Sequence, residues 1–366
     1  MKIVFRTDAS IDISTGHVMR CLTLAELLHK HGHDCHFICK AHEGHLGDLI
    51  IKRGFKLHLL TKPFTQKNIA AGELQLTHAE WLGGSWQQDA KETQILLDHL
   101  KPSWLVVDHY ALDARWERQA AKKVNNILVI DDLADRNHEC SLLLDQNLGR
   151  KPSDYYGLVP QNCKRLIGPG YALLRPEFAQ LRKRSIARRN RPVLRRIMVS
   201  LGGVDKTNGT ALALEALTKA SLPPDTHLDI IMGTTAPHLH AIQQQAVQSP
   251  YKTTVSIDVT DMAERMCLAD MAIGAAGSSS WERCCLGLPS ILLVIADNQQ
   301  KIASALEKKG AASIVSGNNL ELSLQAGISE LTNSENQLKK MTTNATSICD
   351  GKGVTRVINA MNEVFL

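Results

Sequence analysis

Residues 2–28, KIVFRTDASIDISTGHVMRCLTLAELL, read as a single strand–loop–helix unit, and such a unit commits a chain to an α/β fold. Ile3, Val4 and Phe5 form a short apolar run of the kind found in a strand buried on both faces. Gly16 and His17 then open a helix with Val18, Cys21, Leu22, Ala25 and Leu28 on one face at helical spacing. A polar loop at that junction is where open α/β sheets bind ligands. The free N–H groups at the helix start favour an anion, phosphate above all.

The alternation continues along the chain. Residues 34–40, 56–60, 104–110, 127–132 and 141–145 read as strands. Helical stretches cover 45–53 and run through Trp116 and Val124. Strands separated by helices imply a parallel sheet with right-handed crossovers. After a basic, proline-containing stretch at 182–196 the pattern restarts, with strands at 195–203, 227–233, 253–257, 271–277 and 290–295. Helices are expected at 208–217, near 240–247, and at 261–268, 280–286 and 299–309, with a mostly helical tail over 320–365. A chain of 366 residues exceeds what one hydrophobic core organises. The expected architecture is therefore two Rossmann-like domains, residues 1–185 and 195–366, with parallel sheets facing across a cleft.

Composition narrows the function classes. No apolar stretch approaches the ~20 residues of a membrane span, and the N-terminus enters a strand without the apolar region of a signal peptide. The nine cysteines are scattered and no C-x-x-C occurs, which fits reduced thiols and a cytoplasmic protein. A metal cluster from His33, Cys35, His36 and Cys39 competes with the strand reading of the same residues, and the strand reading prevails. Asp131 and Asp132 are adjacent on a strand, so their side chains point to opposite faces and clamp a divalent ion poorly. No metal is expected. Net charge is +5, and the basic stretch at 182–196 lacks interleaved aromatics, so it reads as a solvated helix end and linker; no nucleic-acid partner is expected.

Several segments are suited to chemistry. His17 sits in the first turn of the first helix, where the positive helix end favours a neutral imidazole; the residues leave it between a structural histidine and a general base. The turn Gly274-Ala275-Ala276-Gly277-Ser278-Ser279-Ser280 allows close backbone approach and offers hydroxyls to phosphate. Ser279 and Glu282 fit a capping box, S-x-x-E, or Glu282 accepts hydrogen bonds from a ribose. Gly202 and Gly203 form either a plain turn or a border for phosphates. Asn298 is either a helix N-cap, as Asp297 also is, or a cleft residue. Asp108-His109-Tyr110 ends a very apolar strand, with Tyr110 either packed or in contact with ligand.

Five segments, FRTDASIDISTGHVMRCLTLAELL, VVDHYALDARWE, GPGYALLRPEF, SLGGVDKTN and GAAGSSSWERCCLGLPSILLVIADNQ, occur in the order seen in one hydrolase family. The chain resembles the UDP-2,4-diacetamido-2,4,6-trideoxy-β-L-altropyranose hydrolases of pseudaminic acid biosynthesis, from Lys2 to about Lys309. Single motifs are shared with other glycosyltransferase-B-like proteins. The resemblance implies that the second domain holds UDP and that His17 deprotonates the water that attacks the anomeric carbon with inversion. It maps Arg175 and Glu282 onto substrate binding and Tyr110 and Asn298 onto the sugar site, and Arg6, Asp8 and Arg20 fit its motif; with the turn residues Gly16, Gly202, Gly203, Gly277, Ser278 and Ser279 these make up the expected substrate-binding set. It implies a UDP-sugar and water as the small-molecule partners, no cofactor, a monomer, and a role in flagellin or surface-glycan modification. A glycosyltransferase on a UDP-N-acetylhexosamine donor, a sugar-nucleotide 2-epimerase and a non-catalytic sugar-nucleotide sensor are the rival readings. One departure stands out: relatives carry glycine where this chain has Ser14, and serine there costs about 1 kcal/mol if the backbone needs positive φ.

Overall fold

The computed structural model describes residues 1–13, 15–61, 76–295, 299–315 and 319–365. Ser14 and Asn298 lie outside the described residues, as does Asp297. The chain divides into two units, residues 1–173 with 352–366 and residues 174–351.

In the first unit β1 (Lys2–Thr7), α1 (Gly16–Lys30), β2 (Asp34–Lys40), α2 (Gly47–Lys52) and β3 (Lys56–Leu60) follow in turn. Then come α3 (Trp86–Leu100), β4 (Trp104–Asp108), α4 (Ala114–Ala120), β5 (Asn126–Ile130), β6 (Leu142–Asp145) and β7 (Lys164–Ile167). The sheet order is β3-β2-β1-β4-β5-β6-β7, with every pairing parallel. The second unit begins with α5 (Pro176–Arg188), β8 (Arg196–Ser200), α6 (Gly209–Lys219), β9 (His227–Met232), α7 (Leu239–Val247) and β10 (Lys252–Ile257). It continues with α8 (Met262–Leu268), β11 (Met271–Ala275), α9 (Ser279–Leu286), β12 (Ser290–Leu293), α10 (Gln300–Lys308), β13 (Ser313–Val315), α11 (Leu320–Thr332) and α12 (Glu335–Ile348). Its parallel sheet runs β10-β9-β8-β11-β12-β13. In both sheets the first three strands run outward to one side and the fourth returns to the other side of the first, so each unit is Rossmann-like.

Strand alternation builds a core on each side of the first sheet. Ile3, Phe5, Val106, Leu128 and Leu144 pack with Val18, Leu22 and Ala25 of α1. Val4, Leu105, Val107, Val129 and Leu143 pack with Leu97, Leu100 and Trp116 on the other side. The strands stop earlier than their apolar runs suggest, at Asp108, Ile130, Ser200, Ala275 and Leu293. The residues that follow leave the ladder and form the loops beyond the C-terminal ends of the strands. The sequence pattern does not reveal α3, because WQQDAKETQILLDHL is mostly polar, nor β7 and β13, which are only four and three residues long.

The expected division at 185–195 differs from the structure. The basic stretch is part of the second unit rather than a linker. Arg182 donates to the carbonyls of Thr346 (2.7 Å) and Cys349 (2.8 Å), and Arg189 donates to Met266 and Ala269 (both 2.8 Å), closing helix C-terminal ends. Conversely the last helix, α13 (Gly353–Phe365), returns to the first unit. Val354, Val357, Ile358, Ala360 and Met361 enter the core beside α1, and Arg356 donates to the Gly170 carbonyl at 2.7 Å.

Cys35 and Cys39 face that same core, whereas His36, on the opposite face of β2, meets His58 at 3.0 Å and Asp34 at 3.0 Å. Strand alternation thus splits the residues that a metal cluster would need. No helix among the described residues is long and apolar enough to cross a membrane.

A buried carboxylate pair lies beyond β5 and β6. The Tyr155 hydroxyl meets Asp131 Oδ2 at 2.9 Å and Asp145 Oδ2 at 2.8 Å, but a phenol has one hydrogen, so the second contact needs a carboxyl proton. Asp145 supplies it. Burial and the neighbouring Asp132 push Asp145 up to about 7, against the pull of Asn147, Tyr155 and Arg150. Burial also opposes ionisation of Asp131, but Arg136 and His138 outweigh it.

Two outcomes follow from this packing. Ile358→Ala removes a fully packed side chain and costs about 2–5 kcal/mol, so calorimetry should show the first unit's transition lowered and the second unit's unchanged. A carboxyl raised in the folded state stabilises fully below its unfolded value, and the gain is lost as pH rises through the folded one. Urea melts should therefore show wild type losing stability relative to Asp145→Asn between about pH 4 and about pH 7; a pH-independent difference would contradict the assignment.

Candidate functional site

Parallel pairing of β1 with β4 sets Thr7 opposite Asp108, so the ends of both strands open beside the start of α1. His17 lies in the first turn of α1, where Thr15 contributes no side-chain cap. Its Nδ1 is 2.6 Å from Asp108 Oδ1. Arg20, one helical turn on, grips the same carboxylate with Nε to Oδ2 and Nη2 to Oδ1, each at 2.6 Å. The short carboxylate contact claims the Nδ1 proton, so Nδ1–H donates and Nε2 carries the lone pair. Burial would raise Asp108, but Arg20 and His17 hold it well below the usual carboxylate range. The imidazole is thus aimed and fixed in one tautomer, the arrangement a general base needs.

A second layer braces the first. Arg20 Nη1 and the Tyr110 hydroxyl both donate to Asp132 Oδ2 at 2.6 Å. Burial and Asp132 raise the Tyr110 phenol well above its ordinary value, so it stays neutral. The Tyr110 ring stands edge-on to His17 at 4.6 Å between centroids. Trp81 stacks on Tyr110 at 5.8 Å, and His78 lies beside both. Asp131 and Asp132 do point apart, one toward Arg136 and Tyr155, the other toward Arg20 and Tyr110.

Arg6 and Asp8, expected in the substrate-binding set, are both 0% exposed and touch protein instead. Arg6 donates to Asp8 at 2.6 Å and to both oxygens of Asp89 at 3.2 and 2.7 Å, and Asp89 also accepts from Trp116. Asp8 accepts from the Lys40 backbone at 2.7 Å. His109 Nδ1 accepts from the Ala111 backbone, which leaves its Nε2–H for Asp8 at 3.2 Å. These two residues tie the ends of β1, β2 and β4 together from below. Arg20 is likewise occupied by Asp108 and Asp132.

In the second unit Gly202 has φ +96, a left-handed turn conformation, and Gly203 is exposed beside it. The Gly233 N–H donates to the Gly203 carbonyl at 2.9 Å, and a Cβ on Gly233 would stand 2.4 Å from that oxygen. Gly277 faces open space and Ser278 is exposed as the N-cap of α9, making no side-chain cap. The capping box is not formed: Ser279 Oγ accepts from Arg283 at 3.1 Å instead. Glu282 is thereby released from helix stabilisation. Burial raises its carboxyl, while Arg175, stacked on Phe178 at the start of α5, pulls the other way. Arg175 and Glu282 thus share one neighbourhood with the turn at 274–280.

Sequence reasoning placed Asp108 at a ligand edge without seeing its grip on His17, 91 positions away. Asp132 stood out only as a poor metal clamp, and His78 and Trp81 carried no signal beyond their position before a helix.

Residues 199–358 match the glycosyltransferase family 28 C-terminal domain. The chain is 29% identical over 311 residues to the UDP-2,4-diacetamido-2,4,6-trideoxy-β-L-altropyranose hydrolase of Campylobacter jejuni, covering 85% of this chain and 97% of that protein. It is 27% identical to the spore coat polysaccharide biosynthesis protein SpsG of Bacillus subtilis, covering 57% of this chain and 60% of that one. Among solved structures, MurG of Acinetobacter baumannii superposes with a TM-score of 0.69 at 15% identity, covering 99% of both chains. The UDP-GlcNAc 2-epimerase of Neisseria meningitidis, bound to UDP-GlcNAc, gives 0.62 at 12% identity, covering 99% and 100%. The chain is therefore similar over most of its length to the UDP-2,4-diacetamido-2,4,6-trideoxy-β-L-altropyranose hydrolase of Campylobacter jejuni, shares the fold of MurG, and in residues 199–358 matches the glycosyltransferase family 28 C-terminal domain.

Proposed function

We propose that the protein hydrolyses the anomeric C–O bond of UDP-2,4-diacetamido-2,4,6-trideoxy-β-L-altropyranose, releasing UDP and the free sugar with inversion. The observation that carries this reading is the His17–Asp108 pair at 2.6 Å, an oriented imidazole at the ligand edge of the first sheet. His17 Nε2 takes a proton from water as the water oxygen bonds to the anomeric carbon, and the bond to the β-phosphate oxygen breaks. Asp108 stabilises the imidazolium as it forms, with Arg20 keeping the carboxylate in place. UDP leaves as a stable anion, so the reaction asks mainly for a base. Tyr110, its hydroxyl held by Asp132, lines the sugar side.

We assign the nucleotide to the second unit, whose turns at Gly202-Gly203 and Gly277-Ser278-Ser279 offer backbone N–H groups and hydroxyls. Glu282 and Arg175 are assigned to substrate, Glu282 to the ribose hydroxyls. The similarity to the Campylobacter jejuni hydrolase over 85% of the chain supports the same reaction. The names of the Campylobacter jejuni hydrolase and of the Neisseria meningitidis epimerase support a UDP-sugar, and the family 28 match leaves glycosyl transfer as the main rival.

The deciding experiment incubates the protein with a panel of UDP-sugars and water alone, following UDP release and the product anomer by NMR. Release without acceptor and with inversion is expected. Return of an epimerised UDP-sugar, or release only when an acceptor is added, would favour the rivals. His17→Asn should lower turnover about 10²–10⁴-fold and leave UDP affinity within about twofold. Asp108→Asn, which disturbs the tautomer, should lower turnover about 10⁴-fold on the precedent of triad carboxylates. Near-normal turnover in the His17 variant would remove it as the base.

A further inference from the structure

Beneath the turn at 274–280 the second unit buries a cation that has no carboxylate partner. Arg283 is 2% exposed. Its Nη2 donates to the Ala275 carbonyl at 2.7 Å and to Ser280 Oγ at 3.0 Å, and its Nη1 to Ser279 Oγ at 3.1 Å. Among the described residues it forms no ion pair; Glu282 attracts it only from a distance. Room for the guanidinium comes from Gly274, since a Cβ there would stand 2.6 Å from Arg283 Nη1 and 3.1 Å from the Ser200 carbonyl. A glycine in the interior of β11 is explained by that close approach.

This placement is expensive for the protein alone. A buried charge is normally paired, and this one lies at the positive end of α9, where a cation is least welcome. Burial lowers its pKa to about 10, so it is still charged at neutral pH. Its Nε has no hydrogen-bond partner among the described residues. Guanidinium nitrogens only donate, so the Ser279 and Ser280 oxygens must accept, and their hydroxyl hydrogens point away from Arg283. Ser280 is buried, but Ser279 is half-exposed, with its hydrogen free for an acceptor outside.

We infer that Arg283 is a positioning residue for the diphosphate: it turns and polarises the Ser279 hydroxyl toward a phosphoryl oxygen and places an uncompensated positive charge beneath the turn that receives it. The inference rests on the assignment of the diphosphate to this turn. Arg283 touches no reacting atom and acts through Ser279 and the local field.

The test uses calorimetric titration of the full chain with UDP and, separately, with uridine. Arg283→Met should weaken UDP about tenfold or more, as for a lost hydrogen bond to a charged group, with uridine affinity unchanged. Without ligand, this variant should melt no lower than wild type, because an unpaired buried charge is gone. Ser279→Ala should weaken UDP about tenfold in the wild-type background and less than twofold in Arg283→Met. If UDP binds Arg283→Met and Ser279→Ala as it binds wild type, the inference fails and the nucleotide assignment stands. If wild type binds no UDP, the assignment itself falls. Should Arg283→Met not fold, Ser279→Ala decides: an affinity within twofold of wild type overturns the proposal.

Discussion

A charged carboxylate buried at the end of β4 organises the candidate site of the first unit. Asp108 is 0% exposed, yet it stays ionised because Arg20 meets both its oxygens and His17 one of them. In a low-dielectric interior such a group is tolerable only with every oxygen satisfied. That requirement fixes the neighbours: α1 must start where His17 and Arg20 both reach Asp108, and β1 must lie beside β4. Asp132 then holds the other side of Arg20 and the Tyr110 hydroxyl. The His17 ring is oriented by this chain of charge-assisted hydrogen bonds, with Tyr110 packed edge-on against it.

Buried charge is handled in more than one way, and the second unit too has a matched pair, Arg265 with Asp229 at 2.8 Å. Arg6 is matched by Asp8 and Asp89, and Asp131 by Arg136, so these groups rigidify the sheet ends without needing a ligand. Arg182 and Arg189 spend their donors on helix-terminal carbonyls. Arg283 alone among these arginines is buried against a carbonyl and two hydroxyls at a helix start. A site that must bind and release an anion does best with its positive field partly unsatisfied when empty, since a resident carboxylate would compete with the incoming phosphate.

Much of the fold is legible in the sequence. Buried parallel strands such as Leu105-Val106-Val107 announce themselves as unbroken apolar runs, and Gly16-His17 marks a helix start. Division of the chain was less legible. A run of arginines looks like a solvated linker, because nothing in its sequence reveals that Arg182 and Arg189 close helix ends far along the chain. Nor does the amphipathic pattern of α13 say which core it fills. Arg6 and Asp8 show the same limit in the candidate site: polar residues beside a ligand loop look like ligand contacts until their burial is known.

The sequence by itself determined the α/β class, the order of strands and helices, the polar turns at strand ends and the candidate base, because hydrophobic periodicity and turn chemistry are local properties. Only the tertiary structure decided which carboxylate orients His17, that Ser279 serves Arg283 rather than a capping box, and where the chain divides. Those outcomes depend on pairings between residues as far as 186 positions apart and on which charges end up buried together. Desolvation and hydrogen-bond satisfaction act through space, and they do not exist until the sheets have assembled.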